Sequence, residues 1–173
     1  MEYKVENLLD ENDIQELIKL YNSLPSSLAH QDYNLFNVDK RPIGSLERGK
    51  VKAFEKLDSY AKLKRHGCYF VMYEGNSFTK VHTDNDDAIG LTTVTLLDEV
   101  NLIGGETLVM LSYQDEGRPE NKYRKGDMVN AKCIPHIVDC KVGQTMVYGP
   151  SLLHGVCQLK QGKRLVLVQW YNK

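Results

Sequence analysis

The feature that most restricts the fold of this chain is a change of pattern at Cys68. Before it, apolar residues recur at helical spacing. After it, short runs rich in β-branched and aromatic residues alternate with turn residues. Eight candidate strands result: Cys68–Tyr73, Thr79–His82, Leu91–Leu97, Glu106–Leu111, Ile137–Cys140, Thr145–Tyr148, His154–Gln158 and Arg164–Tyr171. Gly75-Asn76, Asn85-Asp86-Asp87, Gly104-Gly105, Gly143 and Gln161-Gly162 separate them. Many short strands, with helices confined to the N-terminal side, predict a mainly β fold of the α+β class: a double-sheet core backed by helices.

The first part reads as helical support over residues 1–66, with the β core over 67–173, in a single domain spanning 1–173. Asp10 is placed as an N-cap, and Ile14, Leu17, Ile18 and Tyr21 follow at helical spacing. Pro25 and Ser26-Ser27 end that helix, and a polar connector with Asn34, Asn37 and Pro42 follows. A second helix starts after Ser45. Its apolar stripe is Val51, Phe54, Leu57, Tyr60, Ala61 and Leu63, and Gly67 suits its C-terminal cap. Ser112 to Pro135 is polar, with Gly117, Pro119 and Gly126, and reads as an insertion over one end of the core. Such a loop is either a lid or a plain excursion.

Composition excludes several classes. With 22 basic and 23 acidic residues the net charge is −1, which gives no reason to expect nucleic acid or an anionic membrane as partner. No apolar run approaches the roughly 18 residues of a membrane span. Met1 to Asp13 is polar and acidic, unlike a secretory signal. Cys68, Cys133, Cys140 and Cys157 form no C-x-x-C pair, so free thiols in a reducing cytoplasm are the expected state. Cys133, His136 and Cys140 offer three ligands to zinc, but structural zinc sites need four. Ordinary thiols near a strand are the plainer reading.

Chemistry gathers around His82-Thr83-Asp84. Residues i and i+2 of a strand share a face, so His82 and Asp84 can serve one metal from one strand end. Alone, that pair could equally be a solvated strand end. His154, after the break at Gly149-Pro150, adds a second imidazole, although a lone histidine there is more often structural. Two histidines and a carboxylate are the facial triad that holds non-heme Fe(II). Arg164 then leads a strand whose face continues with Val166, Val168 and Trp170. A charge on an apolar stripe needs a partner. A bidentate carboxylate ligand fits, and so would Glu106 or Asp98 of the chain itself.

These stretches resemble the prolyl 4-hydroxylase-like Fe(II)/2-oxoglutarate oxygenases. Tyr73-Glu74-Gly75-Asn76-Ser77-Phe78-Thr79-Lys80-Val81-His82-Thr83-Asp84 is similar to that family's approach to its H-x-D motif. Gly104-Gly105-Glu106-Thr107 matches its G-G-E-T. Val142-Gly143, His154-Gly155, Gly162-Lys163-Arg164 and Trp170 match its closing pattern. The resemblance runs from about Tyr69 to Tyr171 and implies a double-stranded β-helix (jelly roll).

The same resemblance implies the roles. His82, Asp84 and His154 would bind Fe(II), and Arg164 would bind the distal carboxylate of 2-oxoglutarate. Tyr73 would line the co-substrate pocket, and Thr92 would add a hydrogen bond there. O2 and ascorbate are implied as well. The chain departs from the family at Leu96-Leu97-Asp98, where many relatives carry Tyr-Leu-Asn, so one pocket hydroxyl is missing. The implied activity is hydroxylation of an unactivated C–H, a prolyl residue in a protein or peptide foremost, with release of succinate and CO2. The alternatives are the same chemistry on a free amino acid, small metabolite or modified base, and a non-catalytic metal-binding β scaffold.

Overall fold

The protein is described here by a computed structural model covering residues 3–26, 34–84, 87–112 and 133–173. The predicted turn at Asn85-Asp86 and most of the predicted insertion, 113–132, lie outside the described residues.

Helix α1 (Glu11–Ser23) begins where Asp10 was expected to cap it. The Asp10 carboxylate accepts from the Asp13 amide at 2.9 Å, and the Asp13 carboxylate accepts from the Asp10 amide at 2.9 Å, which satisfies two amides at the helix start. Its buried face, Ile14, Leu17, Leu20 and Tyr21, packs on Phe54 and Leu57 and on the sheet residues Phe70, Leu97, Leu165 and Leu167.

The N-terminal part is not purely helical, and the expectation for 1–66 is corrected. Tyr3–Glu6 forms strand β1 and Leu35–Pro42 forms strand β2. Four residues are too few to show a period. In β2 the alternation is broken by a register shift between Phe36 and Val38, where Asn37 takes φ 55°. The second helix is also two pieces, α2 (Ser45–Arg48) and α3 (Ala53–Ala61), parted at Gly49. Its cap is Lys62 at φ 54°, not Gly67. Gly67 instead lies inside strand β3 (Arg65–His82), where a Cβ would sit 3.4 Å from the Trp170 ring.

The remaining strands are β4 (Ile89–Ile103), β5 (Thr107–Ser112), β6 (Cys133–Ile137), β7 (Thr145–Tyr148), β8 (Leu153–Val156) and β9 (Gln161–Asn172). Among the described residues they form one antiparallel sheet of nine strands in the order β1-β7-β4-β9-β3-β8-β5-β6, with β2 also on β3. The sheet curls on itself into the jelly-roll half-barrel: β8 and β5 face β7, β4 and β9 across a shared cavity. Several strand boundaries differ from expectation, β4 extending to Ile103 and β8 ending at Val156 among them. The strand predicted at Ile137–Cys140 lies earlier, at Cys133–Ile137, and carries Pro135 on the terminal strand of the described sheet, where proline is tolerated. Gly75-Asn76 does not separate two strands. It kinks one, at φ 42° and 63°, and β3 changes partner there from β9 to β8. Likewise Gln161-Gly162 belongs to β9, with Gly162 at φ 87°.

Candidate metal and co-substrate site

The partner change in β3 builds the site. Past the kink, His82 at the end of β3 lies directly opposite His154 on β8. Cross-strand partners project to the same face, so the two imidazoles meet, with ring centroids 4.4 Å apart. Asp84, two residues on, brings Oδ1 to 3.4 Å from His82 Nε2 and 3.6 Å from His154 Nε2. Among the described residues these three form the one His/Cys/Asp/Glu group close enough to share an ion, with all ligand atoms within 4.8 Å of one another.

Backbone carbonyls fix the histidine tautomers. His82 Nδ1 donates to Lys80 O at 2.7 Å, and His154 Nδ1 donates to Leu152 O at 2.9 Å. Both Nε2 atoms therefore turn toward Asp84 as acceptors, the state a metal requires. Burial lowers the His154 pKa to about 4 against the opposing pull of Asp84, so the ring is neutral at pH 7. Burial raises the Asp84 carboxyl, but the adjoining His82 and His154 rings and the Thr92 hydroxyl together hold it below its ordinary value. Its side chain is only 6% exposed and stays ionised. Ligands on one octahedral ion with bonds of about 2.1 Å stand roughly 3 Å apart. The observed 3.4 and 3.6 Å are within a small side-chain adjustment of that. Two imidazoles and a buried carboxylate fit a ferrous ion.

Arg164 is 5% exposed and shares a cavity of about 420 Å³ with the triad. Its Nη2 donates to Thr107 Oγ1 at 2.6 Å, while Nη1 is buried with no hydrogen-bond partner among the described residues. Burial lowers its pKa, and Tyr73 and Glu99 oppose that shift. Among the described residues neither Glu106 nor Asp98, the carboxylates that might have satisfied it, forms an ion pair with it. An unanswered buried guanidinium N–H at a cavity wall fits an anionic ligand.

The other expected residues divide. Tyr73 lines the cavity as expected, beside Arg164 (5.7 Å from guanidinium carbon to ring centre), with its hydroxyl 2.6 Å from Thr79 Oγ1. Thr92 donates to Asp84 Oδ2 at 2.8 Å, so its hydroxyl is directed to the carboxylate ligand. Leu96 is buried in the apolar cluster of Tyr73, Val71 and Val166, so the missing hydroxyl is replaced by packing. Two polar residues escaped the sequence reading. Thr107 had been noted only as part of a motif. Tyr148, whose hydroxyl lies 3.0 Å from His154 Nε2, gave one signal: a phenol on the apolar strand Thr145–Tyr148. The zinc alternative gains no support from His136, which is exposed on β6, while the Cys140 thiol donates to Gln144 O at 3.6 Å.

Comparison with known proteins bears on this fold. No protein-family model matches the sequence, and no curated protein does. Solved structures do. An oxidoreductase of the 2OG-Fe(II) oxygenase family from Burkholderia pseudomallei aligns with TM-score 0.69 at 15% identity, over 99% of this chain and 85% of the other. A Pseudomonas putida prolyl-4-hydroxylase aligns with TM-score 0.64 at 16% identity, over 99% and 92%. HygX from Streptomyces hygroscopicus, with nickel, 2-oxoglutarate and hygromycin B bound, aligns with TM-score 0.71 at 10% identity, over 99% and 82%. The likeness to prolyl 4-hydroxylase-like oxygenases therefore extends from motifs to fold. No helix among the described residues is long and apolar enough to cross a membrane.

Proposed function

We propose that this chain is an Fe(II)/2-oxoglutarate-dependent oxygenase that hydroxylates an unactivated C–H, with a prolyl residue of a protein or peptide as substrate. The observation that carries the chemistry is the pairing, in one cavity, of a converging His82-Asp84-His154 set with an unanswered Arg164 N–H. His82, Asp84 and His154 hold the iron. Arg164 Nη1 grips the far carboxylate of the co-substrate, with Thr107 steadying the guanidinium. Tyr73 walls that pocket, and Thr92 keeps the Asp84 carboxylate turned to the metal. Bound iron and 2-oxoglutarate supply the oxidising power: decarboxylation to succinate and CO2 accompanies insertion of one oxygen atom of O2 into the C–H bond. The chain itself positions and excludes water, so no acid or base residue is assigned.

The prolyl preference rests on the motif resemblance and on the Pseudomonas hydroxylase likeness. A small-molecule substrate is the second reading, supported by the likeness to HygX with its hygromycin B. Purified protein is incubated with Fe(II), 2-oxoglutarate, ascorbate and a panel of Pro-containing peptides, and succinate is measured. Peptide-stimulated succinate with a product heavier by one oxygen is expected. Turnover stimulated only by small molecules of a cell extract would remove the peptide substrate. No succinate from any of them, together with no visible absorption on anaerobic mixing of Fe(II) and 2-oxoglutarate, would remove the oxygenase.

A further inference from the structure

Tyr148 is placed by the sheet beside the metal ligands. It pairs across strands with Thr92, and Thr92 pairs with Trp170, so the three side chains form one row on the cavity face. Thr92 reaches Asp84. Tyr148 reaches His154, its hydroxyl 3.0 Å from Nε2 and its ring centre 4.6 Å from the imidazole centre. The proton of His154 is on Nδ1, engaged by Leu152 O. Nε2 therefore offers only its lone pair, and the phenol must be the donor. That lone pair is the one an iron ion needs, so phenol and metal compete for the same electrons.

A buried hydroxyl that loses its acceptor must find another. Along the cavity face its neighbours Met146 and Val94 offer none. Asp84 is the other acceptor beside it and lies within hydrogen-bonding reach of the phenol, although Oδ2 also accepts from Thr92 and Oδ1 faces both imidazoles. With that carboxylate drawn onto an ion, an oxygen atom of whatever occupies the open side of the ion competes with it for the phenol.

We propose that Tyr148 is a positioning residue with two stations: it caps His154 Nε2 in the metal-free site, and after metal uptake it donates to an oxygen of the co-substrate. This rests on the reading of the site given above. It predicts opposite signs for the two binding steps. Tyr148→Phe keeps the ring and removes only the donor. Its affinity for Mn(II) alone, by calorimetry, should rise about 5-fold, because one ordinary hydrogen bond no longer has to break. Its affinity for 2-oxoglutarate once loaded with Mn(II) should fall by about 5-fold or more. A merely structural role would loosen the ligands and weaken Mn(II) binding. In the wild-type protein, Mn(II) should also perturb tyrosine absorbance near 290 nm, through the change of phenol partner. Unchanged or weaker Mn(II) binding in the variant overturns the proposal, as does a wild-type spectrum that Mn(II) leaves unmoved. Failure of the wild-type protein to take up Mn(II) at all overturns the site reading as well.

Discussion

Replacing Arg164 with methionine separates a structural from a functional arginine. Arg164 is 5% exposed, has one hydrogen bond to Thr107 and leaves Nη1 unanswered. In the ligand-free protein it is therefore a net cost: a buried charge with an incomplete shell, of a kind whose replacement by an apolar side chain of similar volume is often stabilising by about 1–4 kcal/mol. Thr107 is partly exposed, so water can take the place of its lost partner, at a cost of at most about 1 kcal/mol. Arg164→Met should thus stabilise the ligand-free fold by about 1 kcal/mol, raising Tm by roughly 2–4 °C for a chain of this size. Co-substrate binding should move the other way. Losing the cation of a buried carboxylate pair costs about 3 kcal/mol, on the order of 100-fold in Kd. The assay is thermal unfolding with Mn(II), with and without 2-oxoglutarate. Wild-type protein should gain Tm on adding the co-substrate, and Arg164→Met should start higher and gain nothing. A variant that melts lower than wild type, yet gains as much from the co-substrate, refutes the argument.

Thr92→Val removes the donor to Asp84 Oδ2 without changing shape, and Mn(II) affinity should fall about 10-fold in calorimetry. Affinity of the Mn(II)-loaded protein for 2-oxoglutarate should stay within about 2-fold, and a larger loss there would make Thr92 a co-substrate contact. Gly162→Ala should cost more than about 2 kcal/mol in urea unfolding, since φ is 87° and the new Cβ would meet Val100 O at 2.1 Å. Gly75→Ala, at φ 42° with open space around it, should cost only about 1 kcal/mol. Burial raises the Cys68 thiol from 9.0 to about 12. The unfolded thiol thus ionises first as pH rises, so this contribution is complete below about pH 9 and is lost between 9 and 12. Over that range stability should fall more steeply in wild type than in Cys68→Ala, by about 1.4 kcal/mol per pH unit.

The site was more legible than the frame around it, for a physical reason. Candidate metal ligands stand out by residue type, and strand periodicity puts His82 and Asp84 on one side without knowledge of the rest. Arg164 stood out because a charge on the stripe Val166, Val168, Trp170 is anomalous wherever the strand goes. Asp10 and its helix were legible because a capping box is local. Strands β1 and β2 were not, because their pairing with β7 and β3 is set by distant residues. Gly75-Asn76 was identified as a backbone irregularity but assigned the wrong kind. Left-handed residues suit a turn and a bulge alike, and only the ladder partners decide. Tyr148 was missed because a tyrosine in a short buried strand is ordinary in sequence, and its meaning lies in the imidazole it meets.

The irregularity in β3 also explains how one strand serves two chemistries. Before the kink, Tyr73 lies opposite Arg164 on β9; after it, His82 lies opposite His154 on β8. Arg164 and the His82-Asp84-His154 cluster are thus held by the same strand through different neighbours, and the span between them depends on the bend. That bend is fastened from two sides. The Leu159 carbonyl accepts from the Asn76 amide at 3.0 Å, and its amide donates to Ser77 O at 2.8 Å, so the connection between β8 and β9 grips the kink. From the other edge, fully buried Ser77 accepts from the Glu74 amide at 3.0 Å, and its one hydroxyl proton is shared between the Glu74 carbonyl and Asn37 O, 2.6 Å away on the bulge of β2. On the proposed function, a co-substrate that touches both metal and guanidinium has a fixed length. Gly75, Asn76, Ser77 and Asn37 carry no reactive group, yet by fixing the bend they set the length the cavity accepts.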